Sequence, residues 1–330
     1  MLTEDEYFES LSKDEIWERY CGFLHLNIDE FMEIQQELLM DQVDRLAASK
    51  LGKLIIGDKK PSSVEDFQRI VPLTSYDDYE PYLSEQQEDA LAMKPSTWCH
   101  SAGRGGKFKW IPLSSEFLYK IAKNSVASYI LASANKKGQI NIGPGVRMLL
   151  VLAPPPYGSG ITMQAVSQYF TIRNFLDTHR AKNIPFREKI QLGFQMALKD
   201  GVDIVGGLPS MLVKMGSEFG KKSPKRKFSL SMMHPNVLYT LTKALLRSKR
   251  YKRKILPKDF WPTKAIMVGG MDAHIYRHSI MSYWGNEPYQ FYISSEAFHI
   301  AMQSWNKRWM TFVPDMIFLE FIPYDELKKE

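Results

Sequence analysis

Apolar residues recur at three- and four-residue intervals through the first hundred positions, a spacing that predicts amphipathic helices. In the clearest run, residues 28–46, one stripe of apolar side chains is expected to be buried: Ile28, Phe31, Ile34, Leu38, Leu39, Val43 and Leu46. Farther on, Ser62 or Ser63 precedes acidic residues and predicts the N-cap of another helix. The N-terminal part of the chain is therefore expected to be a helical scaffold.

After residue 100, short continuous apolar runs alternate with helical patterns. Helices are predicted over residues 116–134 and 187–199, and from Pro209 onward. Apolar runs this short are typical of strands buried on both faces of a sheet. They occupy residues 147–153, 202–205, 265–268, 289–293 and 316–322. The alternation predicts an α/β fold in which a sheet is flanked by helices.

The composition, with 44% hydrophobic and 24% charged residues over 330 positions, is that of a globular chain. Cys21 and Cys99 form no disulfide framework or metal-binding spacing, which fits a reducing compartment. The acidic N-terminus (Glu4, Asp5, Glu6) does not resemble a signal peptide, and no apolar run approaches the roughly 18 residues of a membrane span. We therefore expect a cytoplasmic protein without a membrane partner.

The net charge of +6 is modest, but the basic residues are clustered. One cluster contains Lys221, Lys222, Lys225, Arg226 and Lys227, and a second contains Arg247, Lys249, Arg250, Lys252, Arg253, Lys254 and Lys258. Such clusters are either solvated charges or contacts for nucleic acid or an anionic surface. Because no aromatic or glycine-containing RNA-binding motif accompanies them, we favour solvated charges and expect no nucleic-acid partner.

A glycine-rich stretch at residues 100–109 carries the first candidate chemistry. It has three glycines within four positions, followed by Lys107 and Lys109. Glycines let backbone N–H groups approach an anion closely, so the stretch has the chemistry of a phosphate loop. Its spacing is neither that of a Walker loop nor that of a dinucleotide fingerprint. The alternative interpretation is an ordinary surface loop beside lysines.

This stretch resembles the nucleotide loop of the adenylate-forming enzymes, and specifically that of the acyl-acid amido synthetase or auxin-responsive promoter family. Ser101, Gly106 and Lys109 keep that family's serine, glycine and lysine, and residues 109–112 reproduce its Lys-x-Ile-Pro continuation. Residues 71–82 and 312–323 are similar to two further segments of the family. The resemblance thus extends from about Val71 to Pro323.

The loop also departs from the family pattern. Ala102 stands in place of a glycine, Gly103 and Arg104 replace two threonines, and Phe108 replaces a proline. The loss of two hydroxyls removes donors to the β- and γ-phosphates, whereas Arg104 offers a charge-assisted contact in their place.

A second motif, at residues 292–296, is similar to the superfamily's Tyr-x-x-Thr/Ser-Glu. The resemblance implies that Tyr292 stacks on adenine, that Ser295 donates to the α-phosphate and that Glu296 holds Mg²⁺. The alternative is a helix cap that follows a strand. Gly269, Gly270 and Met271 resemble the segment whose backbone surrounds the adenine.

The resemblance implies the fold of the large N-terminal domain of adenylate-forming enzymes, with mostly parallel β-sheets flanked by helices. We expect a helical segment over residues 1–95 and a nucleotide-binding α/β core over residues 96–330, with the small C-terminal lobe absent. The implied catalytic residues are Lys109 and Glu296, with Glu296 also the metal ligand. The implied nucleotide-binding residues are Ser101, Ala102, Gly103, Arg104, Gly105, Gly106, Lys107, Gly269, Gly270, Met271, Tyr292, Ser294 and Ser295.

The implied activity is ATP- and Mg²⁺-dependent conversion of a carboxylic acid to an acyl-adenylate, followed by transfer to an amine such as an amino acid. Transfer to coenzyme A is an alternative. A second alternative is a non-catalytic or truncated nucleotide-binding relative, because the sequence stops at Glu330, before the family's lid. A serine hydrolase is disfavoured because Gly-x-Ser-x-Gly does not occur. Neither the acyl substrate nor the oligomeric state is predicted.

Overall fold

The computed structural model describes residues 3–57, 59–103, 108–176, 186–219, 234–270 and 272–327. Its N-terminal part is helical, as predicted. The helices are α1 (Glu4–Ser10), α2 (Lys13–Cys21), α3 (Ile28–Ala47), α4 (Lys50–Ile56) and α5 (Val64–Ile70).

Capping residues set where these helices begin. Thr3, Ser12 and Asn27 each start a capping box with a glutamate three residues later. In each box the cap side chain and the glutamate satisfy backbone N–H groups that have no partner within the helix. Ser63, one of the two predicted caps, accepts a hydrogen bond from the Asp66 N–H at the start of α5.

A mostly parallel sheet forms the centre of the molecule. After the hairpin β1 (Thr97–His100) and β2 (Trp110–Leu113) come α6 (Ser115–Ser133), β3 (Val146–Leu150), α7 (Gly158–Tyr169), β4 (Ile172–Asn174), α8 (Phe186–Asp200), β5 (Ile204–Gly207), α9 (Pro209–Phe219), α10 (Pro235–Arg250), α11 (Pro257–Phe260), β6 (Ala265–Gly269), α12 (Ala273–Trp284), β7 (Pro288–Ser294), β8 (Phe298–Gln303), β9 (Met310–Phe312) and α13 (Tyr324–Leu327). The sheet order is β4-β3-β5-β6-β7-β8-β9, parallel from β4 to β7 and antiparallel beyond. The predicted α/β class is confirmed.

Successive residues of the central strands enter two different hydrophobic clusters. Met148 and Leu150 of β3 join one cluster with α6 and α7, whereas Leu149 joins the other with α9 and α12. In β6, Met267 belongs to the first of these clusters and Ile266 to the second. Since strand side chains alternate between faces, both faces of the sheet are covered. This burial explains why the strands appear in the sequence as continuous apolar runs.

The N-terminal helices pack on the α6 side of the sheet. Trp17 and Tyr20 of α2 belong to the cluster that contains α6. Nearby, the carboxylate of Glu4, which is 1% exposed, accepts hydrogen bonds from Arg19, Tyr20 and Tyr119. A buried charge needs such partners, so this network fixes α1 against α6.

One predicted strand is wrong. Residues 316–322 are not a strand; instead, Gln35 of α3 bonds the backbone of this segment. The buried Gln35 amide donates to the carbonyl oxygens of Pro314 (2.6 Å) and Ile317 (3.0 Å) and accepts from Leu319 N–H (2.8 Å). Phe318 packs on the cluster formed by α3 and α4. The predicted strand would have needed a neighbouring strand to bond its backbone. Here the Gln35 amide bonds backbone N–H and carbonyl groups of the segment instead.

Candidate functional site

The carboxyl ends of β3, β5, β6 and β7 lie at one edge of the sheet because these strands are parallel. The helices that follow β3 and β5 pack on opposite faces, since Ile161 of α7 and Leu212 of α9 belong to different clusters. The strand order also reverses here, because β4 and β5 flank β3. In open α/β sheets a crevice for ligands forms at such a switch point. This carboxyl edge is the candidate functional site.

The β1–β2 hairpin brings the glycine-rich loop to the carboxyl edge. The last residue of β1, His100, forms a parallel bridge with Tyr157, just after β3, and its N–H donates to the Pro156 carbonyl oxygen at 3.0 Å. Ser101 and Lys109 close the loop, because Ser101 N–H donates to the Lys109 carbonyl oxygen (3.0 Å) and Lys109 N–H donates to Ser101 Oγ (3.2 Å). Ala102 and Lys109 are exposed. The predicted loop residues Arg104, Gly105, Gly106 and Lys107 lie outside the described residues.

Sequence analysis missed two residues that hold the base of this loop. His100 lies within 4.4–5.1 Å, centroid to centroid, of the rings of Phe108, Trp110 and Tyr157. The Tyr76 hydroxyl accepts from Trp110 N–H (2.8 Å) and donates to the Trp110 carbonyl oxygen (3.3 Å). The signal for Tyr76 was its place in the family-like segment 71–82. No sequence spacing indicates the cage around His100.

The turn after β7 presents the second motif. Ser294 Oγ accepts from Ala297 N–H at 3.0 Å and so closes the turn. Ser295 makes no hydrogen bond to any described residue, Tyr292 is 50% exposed, and Glu296 is exposed. The chain continues directly into β8, so the alternative of a helix cap is wrong.

Phe298 fixes the position of this turn. Its φ of +55° is in the left-handed region, which costs a non-glycine residue roughly 1–2 kcal/mol. The ring is buried, 4% exposed, and packs edge-on against Phe117 of α6 at 6.0 Å. Burial of an aromatic ring offsets a strain of this size. The strained residue is thus tied to the core directly beside Glu296.

Gly158, at the start of α7, lies beside one residue adjoining each motif. A Cβ added to Gly158 would lie 3.8 Å from Cys99 Sγ and 3.8 Å from the Phe298 ring. Burial raises the pKa of the Cys99 thiol to about 11, and the negative charge of Glu296 adds to this rise. The strand that leads into the glycine-rich loop therefore lies beside the Glu296 turn.

Gly269 and Gly270 form the turn at the end of β6. Gly270 has a φ of +129°, which L-amino acids with a side chain rarely adopt, and a Cβ there would lie 3.1 Å from Asp272 Oδ1 and 3.8 Å from Pro209 at the start of α9. Asp272 is the N-cap residue of α12, although its side chain makes no capping hydrogen bond. The turn leaves backbone exposed at the edge. Met271 lies outside the described residues.

The donor set fits one kind of metal binding. Within the described ranges, no group of three or more His, Cys, Asp or Glu side chains could hold a metal ion. Glu296 is an exposed carboxylate without an ion pair among those residues. Mg²⁺ is commonly held by one or two carboxylates together with substrate phosphates. A lone exposed glutamate suits that arrangement.

The Gly-Ser-Gly turn at residues 158–160 is structural. Its serine, Ser159, accepts from Ala153 N–H (3.1 Å) and donates to the Ala153 carbonyl oxygen (3.3 Å). A Cβ on Gly160 would lie 2.3 Å from Pro155 N, so only glycine permits this approach of the chain to α7. The Ser159 hydroxyl is therefore engaged within the turn.

Comparison with known protein families shows which family the chain belongs to. The model of the GH3 family N-terminal domain matches residues 22–196, just over half of the 330 residues. The chain belongs to the GH3 family. The match includes the glycine-rich loop and the segment that contains Tyr76. No curated protein matches the sequence.

Two solved structures show the same fold for this GH3 chain. "AtGH3.15 acyl acid amido synthetase in complex with 2,4-DB" has a TM-score of 0.62 at 14% identity, covering 93% of this chain and 61% of that one. A 2-hydroxyisobutyryl-CoA ligase in complex with 2-HIB-AMP and CoA has a TM-score of 0.52 at 13% identity, covering 85% of this chain and 52% of that one. The chain spans between half and two thirds of the length of these structures. Its fold is that of the adenylate-forming ligases.

Proposed function

We propose that this protein activates a carboxylic acid with ATP and transfers the acyl group to an amine. The observation that carries the proposal is that Gly158 lies beside both Cys99, in the strand that leads into the glycine-rich loop, and Phe298, two residues after Glu296. A phosphate-binding loop beside a carboxylate that holds Mg²⁺ suits a nucleoside triphosphate. Membership of the GH3 family supports the same reaction.

In the first step a carboxylate oxygen of the substrate attacks the α-phosphorus of ATP. A new P–O bond forms, the bond to the β-phosphate bridging oxygen breaks, and pyrophosphate leaves with the electron pair. In the second step the amine nitrogen attacks the acyl carbon and AMP leaves, while the amine gives up a proton. Positioning and charge neutralisation supply most of the catalysis in such a displacement.

The described residues divide these tasks among them. Lys109 is exposed, and its ammonium group lies 5.4 Å from the centre of the Tyr76 ring, where a positive charge is held beside the loop. Of the two predicted serines, Ser295 is the one with a free hydroxyl for the α-phosphate, whereas Ser294 closes the turn. The half-exposed Tyr292 ring is available to stack on adenine. When bound to Glu296, Mg²⁺ would neutralise phosphate charge.

An amine is the proposed acceptor because the better structural match, at 0.62, is an acyl acid amido synthetase, whereas the coenzyme A ligase matches at 0.52. A second candidate function is nucleotide binding without catalysis. It is favoured by Ala102 and Gly103, which provide no hydroxyl for the phosphates. Under that candidate function ATP binds, but no acyl-adenylate forms.

Exchange of radioactive pyrophosphate into ATP tests the first step directly. The proposal predicts exchange that requires both Mg²⁺ and a carboxylic acid, found by screening aromatic and aliphatic acids. Lys109→Ala should lower the exchange rate by a factor of about ten to a thousand, as removal of one electrostatic stabiliser does elsewhere. Lys94→Ala, an exposed lysine near the start of β1, is the matched control and should leave the rate unchanged.

The products separate the candidate functions. AMP that accumulates only when acid and amine are both present supports the complete reaction. ATP binding without exchange for any acid supports the non-catalytic function. Cleavage of ATP to ADP and phosphate would overturn both, because it places the reactive bond at the γ-phosphate.

A further inference from the structure

Helix α10 exposes apolar side chains to solvent. Its inner face contributes Val237 and Ala244, both buried, and it packs on α8 and α11. The outer face carries four large apolar residues whose exposed fractions range from 51% to 68%: Leu238, Tyr239, Leu245 and Leu246. A shallow, mainly apolar groove runs between Tyr239, Leu246 and Arg250. We call these outward side chains and their basic neighbours the α10 face.

Basic residues surround this apolar strip. From His234 to Lys258 there are eight lysines and arginines and no aspartate or glutamate. Arg253 is engaged in an ion pair with Asp259, and Arg247 donates to the Lys258 carbonyl oxygen. The others have no carboxylate partner in the described part of the chain: Lys243, Lys249, Arg250, Lys252, Lys254 and Lys258. The face thus combines unpaired positive charge with exposed apolar area.

Solvated charge explains the lysines and arginines but not the apolar strip between them. A surface helix normally turns its apolar residues toward the core, and several large exposed apolar residues on one face mark a contact surface. Clustered positive charge selects an anionic partner. Leucine side chains beside lysine and arginine suit a phospholipid interface, where acyl chains receive the leucines and headgroups receive the cations. A nucleic acid offers no comparable place for leucine.

We propose that the α10 face binds the surface of an anionic phospholipid bilayer. The helix lies along the membrane plane and does not cross it, since no described helix is long and apolar enough to span a bilayer. Its 16 residues present a strip about 24 Å long. Leu245 and Leu246 enter the interface, while Lys249 and Arg250 contact headgroups. Binding at this face does not require the reaction at the carboxyl edge.

Co-sedimentation of the 330-residue chain with unilamellar vesicles tests the proposal. The chain should bind vesicles that contain phosphatidylserine at least about tenfold more tightly than vesicles of phosphatidylcholine alone, because each basic residue near the anionic surface adds electrostatic attraction. Added salt should weaken binding as screening increases. Equal binding to both lipids, or no binding to either, would overturn the proposal.

Two variants and two controls separate the charge from the apolar strip. Lys249→Glu/Arg250→Glu should lower the vesicle partition coefficient about tenfold or more, whereas Lys136→Glu/Lys137→Glu, an exposed pair after α6, should change it far less. Leu245→Gln/Leu246→Gln keeps every charge and should still reduce binding severalfold. Leu54→Gln, 59% exposed on α4, should not.

Two outcomes point to another partner and would overturn the proposal. One is vesicle binding that is unaffected by Leu245→Gln/Leu246→Gln while duplex DNA competes efficiently, because the face would then be a polyanion site. The other is a concentration-dependent dimer, seen by analytical ultracentrifugation, that the leucine variant dissociates and vesicles do not. In that case a second copy of this chain covers the face.

Discussion

At the scale of single residues, Tyr76 links a helical N-terminal segment to the glycine-rich loop. Its hydroxyl bonds both backbone groups of Trp110, the first residue after the loop closes. His100 holds the other side of the same base through three aromatic neighbours. Neither residue belongs to the implied nucleotide contacts. Their contacts lie where β1 ends and β2 begins, at the base of the loop.

Tyr76→Phe should therefore raise the Kd for Mg-ATP while lowering the unfolding free energy only modestly. The half-buried Trp110 N–H and carbonyl oxygen lose their partner, which costs about 1 kcal/mol of unfolding free energy in a denaturant titration. The Kd for Mg-ATP should rise severalfold as the loop base loosens. Tyr79→Phe removes a hydroxyl that bonds Thr74 at the surface, and it should leave the Kd unchanged. Equal effects of the two variants would contradict a positioning role for Tyr76.

At the scale of elements, Gln35 determines the path of the chain after β9. The residue sits on α3, nearly 280 positions earlier, and its amide makes three hydrogen bonds to the backbone between Pro314 and Leu319. The side chain is 1% exposed. We therefore expect its removal to leave these backbone groups without a protein partner and to loosen the segment.

Gln35→Ala should lower the unfolding free energy by about 3 kcal/mol, because one buried and two partly buried backbone groups lose their partner. Hydrogen exchange at the Leu319 amide should accelerate more than at amides of the central strands. Gln36→Ala, on the exposed side of α3, is the matched control and should cost less than about 0.5 kcal/mol. A loss of stability that leaves Leu319 protection intact would contradict this account of the segment.

The pattern of apolar residues predicted the strands that are buried on both faces. It did not predict the segment whose backbone is bonded by a side chain distant in sequence. The runs at 147–153 and 265–268 contain strands β3 and β6 because both faces of the sheet are covered there. The run at 316–322 is also mostly apolar, yet a distant glutamine bonds its backbone, and the local spacing of residues does not indicate that contact. Strands β4 and β9 have three residues each, too short for a pattern to show.

In the candidate site, too, the sequence indicated some residues and missed others. Its motifs were found from residue identity, because glycine, lysine, tyrosine and glutamate at family spacing are visible in a sequence. The residues that support the motifs were not visible in this way, because the left-handed Phe298 and the approach of Cys99 to Gly158 depend on β1, α7 and β8, which are far apart in the chain. The assigned roles of the motif residues stay predictions until nucleotide binding is measured.

At the scale of the whole molecule, one buried histidine gives the fold a dependence on pH. Burial lowers the pKa of His299 from 6.5 to about 4, and the charge of Asp315 opposes this shift. Ser125 Oγ donates to the Ile121 carbonyl oxygen, so it accepts from His299 Nε2–H at 3.0 Å. A proton added at Nδ1 would find no acceptor among the described residues. The folded state therefore favours the neutral ring.

The unfolding free energy should fall by about 3 kcal/mol as the pH drops from 6.5 to 4, because the unfolded chain binds the proton first and the folded chain follows only near pH 4. Denaturant titrations across this range measure the fall, and His299→Gln should remove it. Asp203 is not involved, since its pKa of about 2 places its contribution below pH 3.8. An unchanged slope in the glutamine variant would contradict the assignment to His299.

Binding of Mg-ATP at the carboxyl edge is proposed to depend on Glu296. Calorimetric titration of the chain with Mg-ATP tests it, with Glu296→Ala beside Glu33→Ala, an exposed glutamate on α3, as the matched control. We predict saturable binding to the parent and to the control, and a Kd at least about tenfold higher for Glu296→Ala, in line with the 1.5–3 kcal/mol typical of contacts to charged groups. Binding that Glu296→Ala leaves unchanged, or its absence in the parent at millimolar nucleotide, would contradict the proposed site.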